Sequence, residues 1–319
     1  MRAAVLLACA IAFACATNTR AQETYPNKPV RLIVPFAPGS LTDAAARVIG
    51  HELGKRLGQN VIVETRPGAN GQLGASFTAK SAPDGYTIMA TTNSPHAANV
   101  HLYKKLPYDP IKDFVPVARI GTLLFMLVVN PSLPVKNTEE LIAYARAHPG
   151  KITYGTSNSL SLVSAETLNI MAKISTVGVQ YKASQQAVID LIGGEIQMMI
   201  CDFAVCMPQV KSGKLRALAV PMEKRTVLMP GLPTIGETLK GFKFTPWLGI
   251  VAPAGTPKAV TERLSKALLE VLALPEMSAK LASVGVELAP MGPAPFGHFI
   301  QEEIDHWGRL VKAAGIRPE

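Results

Sequence analysis

Short apolar runs alternate along this chain with stretches whose apolar residues recur at helical spacing. "VRLIVPF" (30–36) precedes "LTDAAARVIGHELGKRLG", and "NVIVETRPG" (60–68) precedes a glycine-rich turn and "LGASFTAKSA". "YTIMATT" (86–92) follows the Pro-Asp-Gly turn at 83–85. A second series begins after Ile120. "LLFMLVVNPSLP" (123–134) predicts a strand and a proline-bounded turn, and "NTEELIAYARAHPG" a helix opened by Asn or Thr and stopped by Pro-Gly. "KITYGTS" predicts a strand running into a polar loop and then the helix "SAETLNIMAK". "AVIDLIGGEIQMMICD" predicts a helix end, a Gly-Gly turn and a buried strand, and "LRALAV" (215–220) a further short strand. This alternation predicts α/β layers built on mostly parallel sheet.

One layout occurs twice. "FMLVVNPSLPVKNTEELIAYAR" and "WLGIVAPAGTPKAVTERLSKAL" each place an apolar strand before a proline-bounded turn and an amphipathic helix. The repeat predicts two α/β lobes of like construction joined by two hinge strands, near 124–130 and 247–252. Lobe 1 is then 22–125 plus 248–319, and lobe 2 is 126–247. A cleft between them is the natural site for a small molecule.

The length of 319 residues agrees with two domains of ~100–200 residues each. With 48% hydrophobic and 17% charged residues, the chain can bury a substantial core. Residues 1–21 have the layout of a signal peptide. Met1-Arg2 gives a positive start, and Ala3 to Ala16 is apolar but shorter than the ~20 residues that span a bilayer. Small residues precede a cut after Ala21, with a cut after Ala16 as the runner-up. No later stretch holds 18 uninterrupted apolar residues, so export to the periplasm is expected. The net charge of +9 falls to +7 without Arg2 and Arg20. The Lys and Arg residues are scattered and form no basic stripe, which argues against nucleic acid and suits an anionic ligand. Cys9 and Cys15 leave with the leader. Cys201 and Cys206 remain in "ICDFAVC", where a disulfide and two free thiols are both open.

The candidate chemistry lies at strand-to-helix junctions. In "PFAPGSLTD", covering Phe36, Ala37, Gly39, Ser40, Thr42 and Asp43, Ser40 is placed to cap the helix and Asp43 to reach back as in a capping box. The other first-turn N–H groups stay free. A helix N-terminus favours an anion by ~0.3–1 kcal/mol when exposed and ~2 kcal/mol when partly buried, so a carboxylate is the expected guest. An ordinary capped helix would show the same residues. "YGTSNSLSLVSAE" gathers Thr156, Ser157, Asn158, Ser159 and Ser161 at a second junction. "VQYKAS" and "ICD" add Tyr181, Lys182, Ser184 and Asp202. Lys182 can pair with an acidic ligand. Asp202 ends an apolar run, where a carboxylate needs a partner, so it caps a helix or touches ligand. No catalytic, metal or cofactor site is expected. The chain has no GxSxG, HExxH or P-loop, "GANGQLG" lacks dinucleotide spacing, and the six histidines form no i, i+4 pair.

"YPNKPVRLIVPFAPGSLTDAAAR", "ETRPGANGQLGA", "APDGYTIM", "LYKKLPYDPIKDFVPVA", "GKLRALAV" and "WLGIVAPAGTP" occur in this order. Together they resemble the extracytoplasmic receptors of tripartite tricarboxylate transporters, the Bug family. The resemblance implies a type II periplasmic binding protein that closes on an organic acid or amino acid and delivers it to a permease of one large and one small subunit. It implies that the loop from Phe36 to Asp43 holds a ligand carboxylate, with the 156–161 loop contributing from the second lobe. A monomer without cofactor is expected. Two departures fall in the pocket. Gly39-Ser40 stands where Gly-Gly is usual, and "TSNSLSLVSAE" lacks the glycines and histidine of the usual second loop. An exported hydrolase on the same scaffold, and a receptor that signals to a membrane sensor, are the alternative readings.

Overall fold

The structure, a computed structural model, describes residues 25–319; the expected signal peptide at 1–21 lies outside the described residues. Among the described residues eleven strands form two sheets: β1 (Val30–Val34), β2 (Val61–Thr65), β3 (Thr87–Thr92), β4 (Phe114–Leu123), β5 (Phe125–Val129), β6 (Thr153–Thr156), β7 (Val177–Gln180), β8 (Met198–Asp202), β9 (Arg216–Ala219), β10 (Trp247–Pro253) and β11 (Val286–Met291). The helices around them are α1 (Leu41–Leu57), α2 (Gln72–Ala79), α3 (Asn99–Leu102), α4 (Thr138–Ala147), α5 (Ser159–Ala172), α6 (Ser184–Gly193), α7 (Phe203–Lys211), α8 (Ile235–Thr238), α9 (Lys258–Leu272), α10 (Pro275–Ser283) and α11 (Pro293–Ala313).

The first sheet has the order β11-β4-β10-β3-β1-β2 and the second β7-β6-β8-β5-β9. Strands β1, β2 and β3 are mutually parallel, as are β6, β7 and β8. Strand β10 is antiparallel to both β3 and β4, β11 to β4, and β5 to both β8 and β9. The sheets are therefore mixed, not mostly parallel. The cause is the crossing of the chain. The parallel strands end facing the other sheet, so a chain arriving from that side enters beside their ends and must run the opposite way. Both β5 and β10 enter so. Each lies beside the last of three parallel strands and leads into an amphipathic helix, α4 or α9. These are the two segments whose sequence layout repeats.

The crossings lie side by side. The first is a single residue, Leu124, between β4 and β5; its N–H donates to Gly285 O at 2.8 Å and its carbonyl accepts from Phe203 N–H at 3.0 Å. The second arrives at Pro246, whose carbonyl accepts from Leu123 N–H at 2.9 Å. Beneath it lie Trp247 and Trp307, both fully buried, with Phe244 and Phe296 against them. Burying one large apolar side chain contributes ~1.5–3 kcal/mol, so these aromatics anchor the strand where it enters the first sheet. Both indoles donate to Glu303 Oε2, at 3.0 and 3.2 Å.

Strands β4, β7 and β11 and the 21-residue helix α11 are not expected from the pattern above. β4 carries Pro116 and Gly121 and pairs with register shifts, and β11 carries Pro290 and also shifts register. β7 is an exposed edge strand without alternation. Cys201 and Cys206 form a disulfide with Cα atoms 6.3 Å apart, closing the alternative that sequence left open and tying the end of β8 to α7.

Candidate ligand-binding cleft

All six parallel strands point their carboxyl ends into one space between the sheets. Ligands of open α/β sheets bind outside such strand ends. The cavity there holds about 710 Å³ and takes its lining from the turns after β1, β2 and β3 on one side and after β6, β7 and β8 on the other. Leu123 and Phe125, flanking the first crossing, form part of the wall.

The turn after β1 is built as a cap. Gly39 has φ +76°, a left-handed conformation that only glycine adopts without strain. Ser40 is extended, and its Oγ accepts from Asp43 N–H at 3.3 Å. Asp43 is buried and does not complete a capping box with Ser40. Its Oδ2 accepts from Gly39 N–H at 2.8 Å and from Arg47 Nε at 3.1 Å, while Ser40 N–H donates to Ala37 O. The positive φ of Gly39 turns its own N–H toward the carboxylate, so the reciprocal bond moves one residue back. Phe36, Ala37, Ser40 and Thr42 line the cavity; Gly39 and Asp43 do not.

On the facing side Thr156, Ser157 and Asn158 line the cavity, as do Lys182 and Asp202. Asn158 caps α5 through Ser161 N–H at 2.9 Å, with Ser161 Oγ returning to Asn158 N–H. Ser159 does not line the cavity. It is fully buried and bridges the sheets: its N–H donates to Asn70 Oδ1 at 3.1 Å and its Oγ to Asn99 Oδ1 at 3.0 Å. Asn70 Nδ2 donates to Ser159 Oγ and to Asn99 Oδ1, the latter at 2.8 Å. Asn70 holds this position with φ +53°. Gln185 Nε2 makes a second bridge, to Pro38 O at 3.0 Å. These bonds require the two sheets' loops to be together, so this is the closed arrangement.

Asp202 caps α7, accepting from Val205 N–H at 3.3 Å. Burial pushes its carboxyl up, against hydrogen bonds from the Ser184 hydroxyl and from the N–H groups of Val205 and Leu41. Leu41 is the first residue of α1. Asp202 takes the helix-capping role, one of the two that sequence left open, and it also borders the cleft.

Several lining residues escape sequence reasoning. Asn93, after β3, is buried with its Nδ2 unpartnered. Asn70, Tyr103 and Gln185 also line the cavity. The signal available for Asn70, Asn93 and Gln185 is position alone, since each falls within a few residues of a strand's carboxyl end. Among the described residues no cluster of three metal-ligating side chains occurs.

Two α/β sheets, each presenting strand ends to a shared cleft and joined by two adjacent crossings, define a two-lobed binding protein of the periplasmic type. The chain belongs to the tripartite tricarboxylate transporter receptor family, which it matches over residues 45–316. It is 34% identical over 299 residues to protein BugT of Bordetella pertussis, covering 92% of each chain. The solved structure of R. palustris Rpa4515 with adipate superposes with a TM-score of 0.90 at 34% identity, over 92% of this chain and all of that one. MatC (Rpa3494) of Rhodopseudomonas palustris with bound malate gives 0.82 at 31% identity, over 90% of this chain and all of that one. This is a family of periplasmic solute receptors and not of enzymes. Among the described residues no helix is long and apolar enough to cross a membrane.

Proposed function

We propose that the chain works in the periplasm, captures a small carboxylate in the cleft between its lobes, and hands it to a permease of one large and one small membrane subunit. The observation that carries this is the single cavity bordered by polar turns at six strand ends, three from each sheet. Its polar groups include hydroxyls, amides, Lys182 and helix N-termini, which suit an anion with hydrogen-bonding oxygens, beside the acids Asp202 and Glu319. The adipate and malate held by the two R. palustris structures support the same ligand chemistry. Closure joins Asn70 and Asn99 to Ser159, and a ligand that touches both walls favours the closed form by its differential affinity for it. The phrase "GTSNSLS" and the Phe36–Thr42 turn face each other across the space.

The test is native mass spectrometry of protein isolated from periplasm, followed by calorimetry with the acid whose mass is found. A carried organic acid that binds one to one and narrows the scattering envelope is the expected result. A protein that binds no acid of a broad panel, or keeps its open dimensions when saturated, would remove the proposal.

A further inference from the structure

We propose that the cleft selects a ligand with one carboxylate and an apolar body, the carboxylate lying between Lys182 and the N-terminus of α6. This rests on the carboxylate-receptor reading above. Five helices of eight or more residues begin at the strand ends that border the cavity: α1, α2, α5, α6 and α7. Three are closed by side chains, from Ser40, Asn158 and Asp202. Neither α2 nor α6 has a capping side chain, but α2 continues a tight turn in which Gln72 N–H donates to Ala69 O, whereas α6 starts directly after Ala183. Its first residues, Ser184 and Gln185, line the cavity, and so does Lys182, the one formal cation among the described lining residues.

Among the described residues the opposite wall offers no second cation. The start of α1 is capped by Ser40, and Asp202 borders the cavity. Glu319 also borders the cavity. A second ligand carboxylate would face these two acids and no further lysine or arginine. Much of the remaining surface is hydrocarbon: Phe36, Leu102, Leu123, Phe125, Leu160 and Leu162. The space of about 710 Å³ exceeds the needs of a four-carbon acid and accepts a ring or a long chain. Asn93 gives an independent sign of a ligand on that wall. It is 3% exposed, borders the cavity and leaves Nδ2 without a partner. A buried donor without an acceptor is costly, so a bound molecule with a neutral acceptor at its far end completes it.

The experiment is calorimetry on protein stripped of carried ligand, using pairs matched in carbon skeleton: hexanoate against adipate, and 4-methylbenzoate against terephthalate. The monoacids are expected to bind at least tenfold tighter than their diacid partners. Lys182→Gln, an exposed change that spares the core, is expected to weaken monoacid binding about tenfold. Asn93→Leu is expected to weaken 4-hydroxybenzoate several-fold more than benzoate. Adipate or terephthalate binding as tightly as its partner overturns the inference, as does a Lys182→Gln protein with unchanged affinity. Equal losses for the two benzoates remove Asn93 from it. If diacids bind well, the receptor reading stands while this one falls; if no acid binds, both fall.

Discussion

Glu303 offers a quantitative test of the core beneath the second crossing. Burial raises its carboxyl from 4.5 to about 7, against the indole donors of Trp247 and Trp307 and the charge of Arg119, while Glu302 adds to the rise. The folded protein then holds this proton more tightly than the unfolded chain does. The stability it contributes is complete below pH 4.5 and is lost as pH rises through about 7. At ~1.4 kcal/mol per pH unit the whole effect is about 3 kcal/mol, of which about 2.5 kcal/mol falls between pH 5 and pH 8. Buried His96 acts with the opposite sign: desolvation lowers it to about 3, so it costs stability as pH falls below 6.5. The informative quantity is therefore the difference between wild type and Glu303→Gln, in which His96 cancels. The amide still accepts from both indoles but cannot ionise. The assay is guanidinium unfolding followed by tryptophan fluorescence at pH 5, 6, 7 and 8. The chain's two tryptophans are the two that bond Glu303, so the probe sits on the perturbed group. Wild type should lose about 2.5 kcal/mol relative to Glu303→Gln across this range. Parallel pH profiles for the two proteins would refute the reasoning.

Three further outcomes are expected. Replacing Cys201 and Cys206 together by Ser, or reducing the bond, opens a loop spanning five positions and should cost about 2 kcal/mol of stability, read by denaturation with and without reductant. Because Asp202 lies inside that loop, ligand affinity should fall as well. Asn70→Ala removes the bonds to Ser159 and Asn99 and should weaken ligand binding by about tenfold, corresponding to about 1.4 kcal/mol of closed-state stabilisation, measured by calorimetry. Gly39→Ala forces a side chain into a left-handed turn, with its Cβ 3.3 Å from Gln185 Nε2; a loss of about 1–2 kcal/mol on thermal unfolding is expected, with weaker closure.

The junctions were legible where local chemistry and burial agree. "VRLIV" and "MMICD" are buried on both faces of a sheet, so they read as continuous apolar runs, and Ser40 and Asn137 announce the helices that follow, whereas α5 begins at Ser159 inside the stretch expected to be a polar loop. The repeated strand-turn-helix phrase was legible because both copies meet the same demand, re-entry into a sheet from the cleft. Strand β4 was not, since its interruptions have tertiary causes. Gly121 stands where β11 crosses so closely that a Cβ would lie 2.0 Å from Glu287 O. The mixed sheet direction was hidden for a related reason: strand polarity follows from where the chain crosses, which no local window contains. In the cleft, residue type and strand-end position brought Phe36, Ser40, Thr156 and Lys182 to notice. Orientation was beyond reach. Ser159 turns into a bridge between sheets, and Asp43 turns back on Gly39, because of partners that are distant in sequence or depend on one glycine's φ.

The strand ends that border the cleft are connectors, while the aromatic and aliphatic mass lies in the strands and helices behind them. Ala37, Ser157 and Lys182 lie in these connectors and belong to no buried hydrophobic cluster of that interior. Cargo preference in such a scaffold can drift one connector at a time, with little toll on foldability, so relatives that share a third of their residues can carry unlike solutes on one frame.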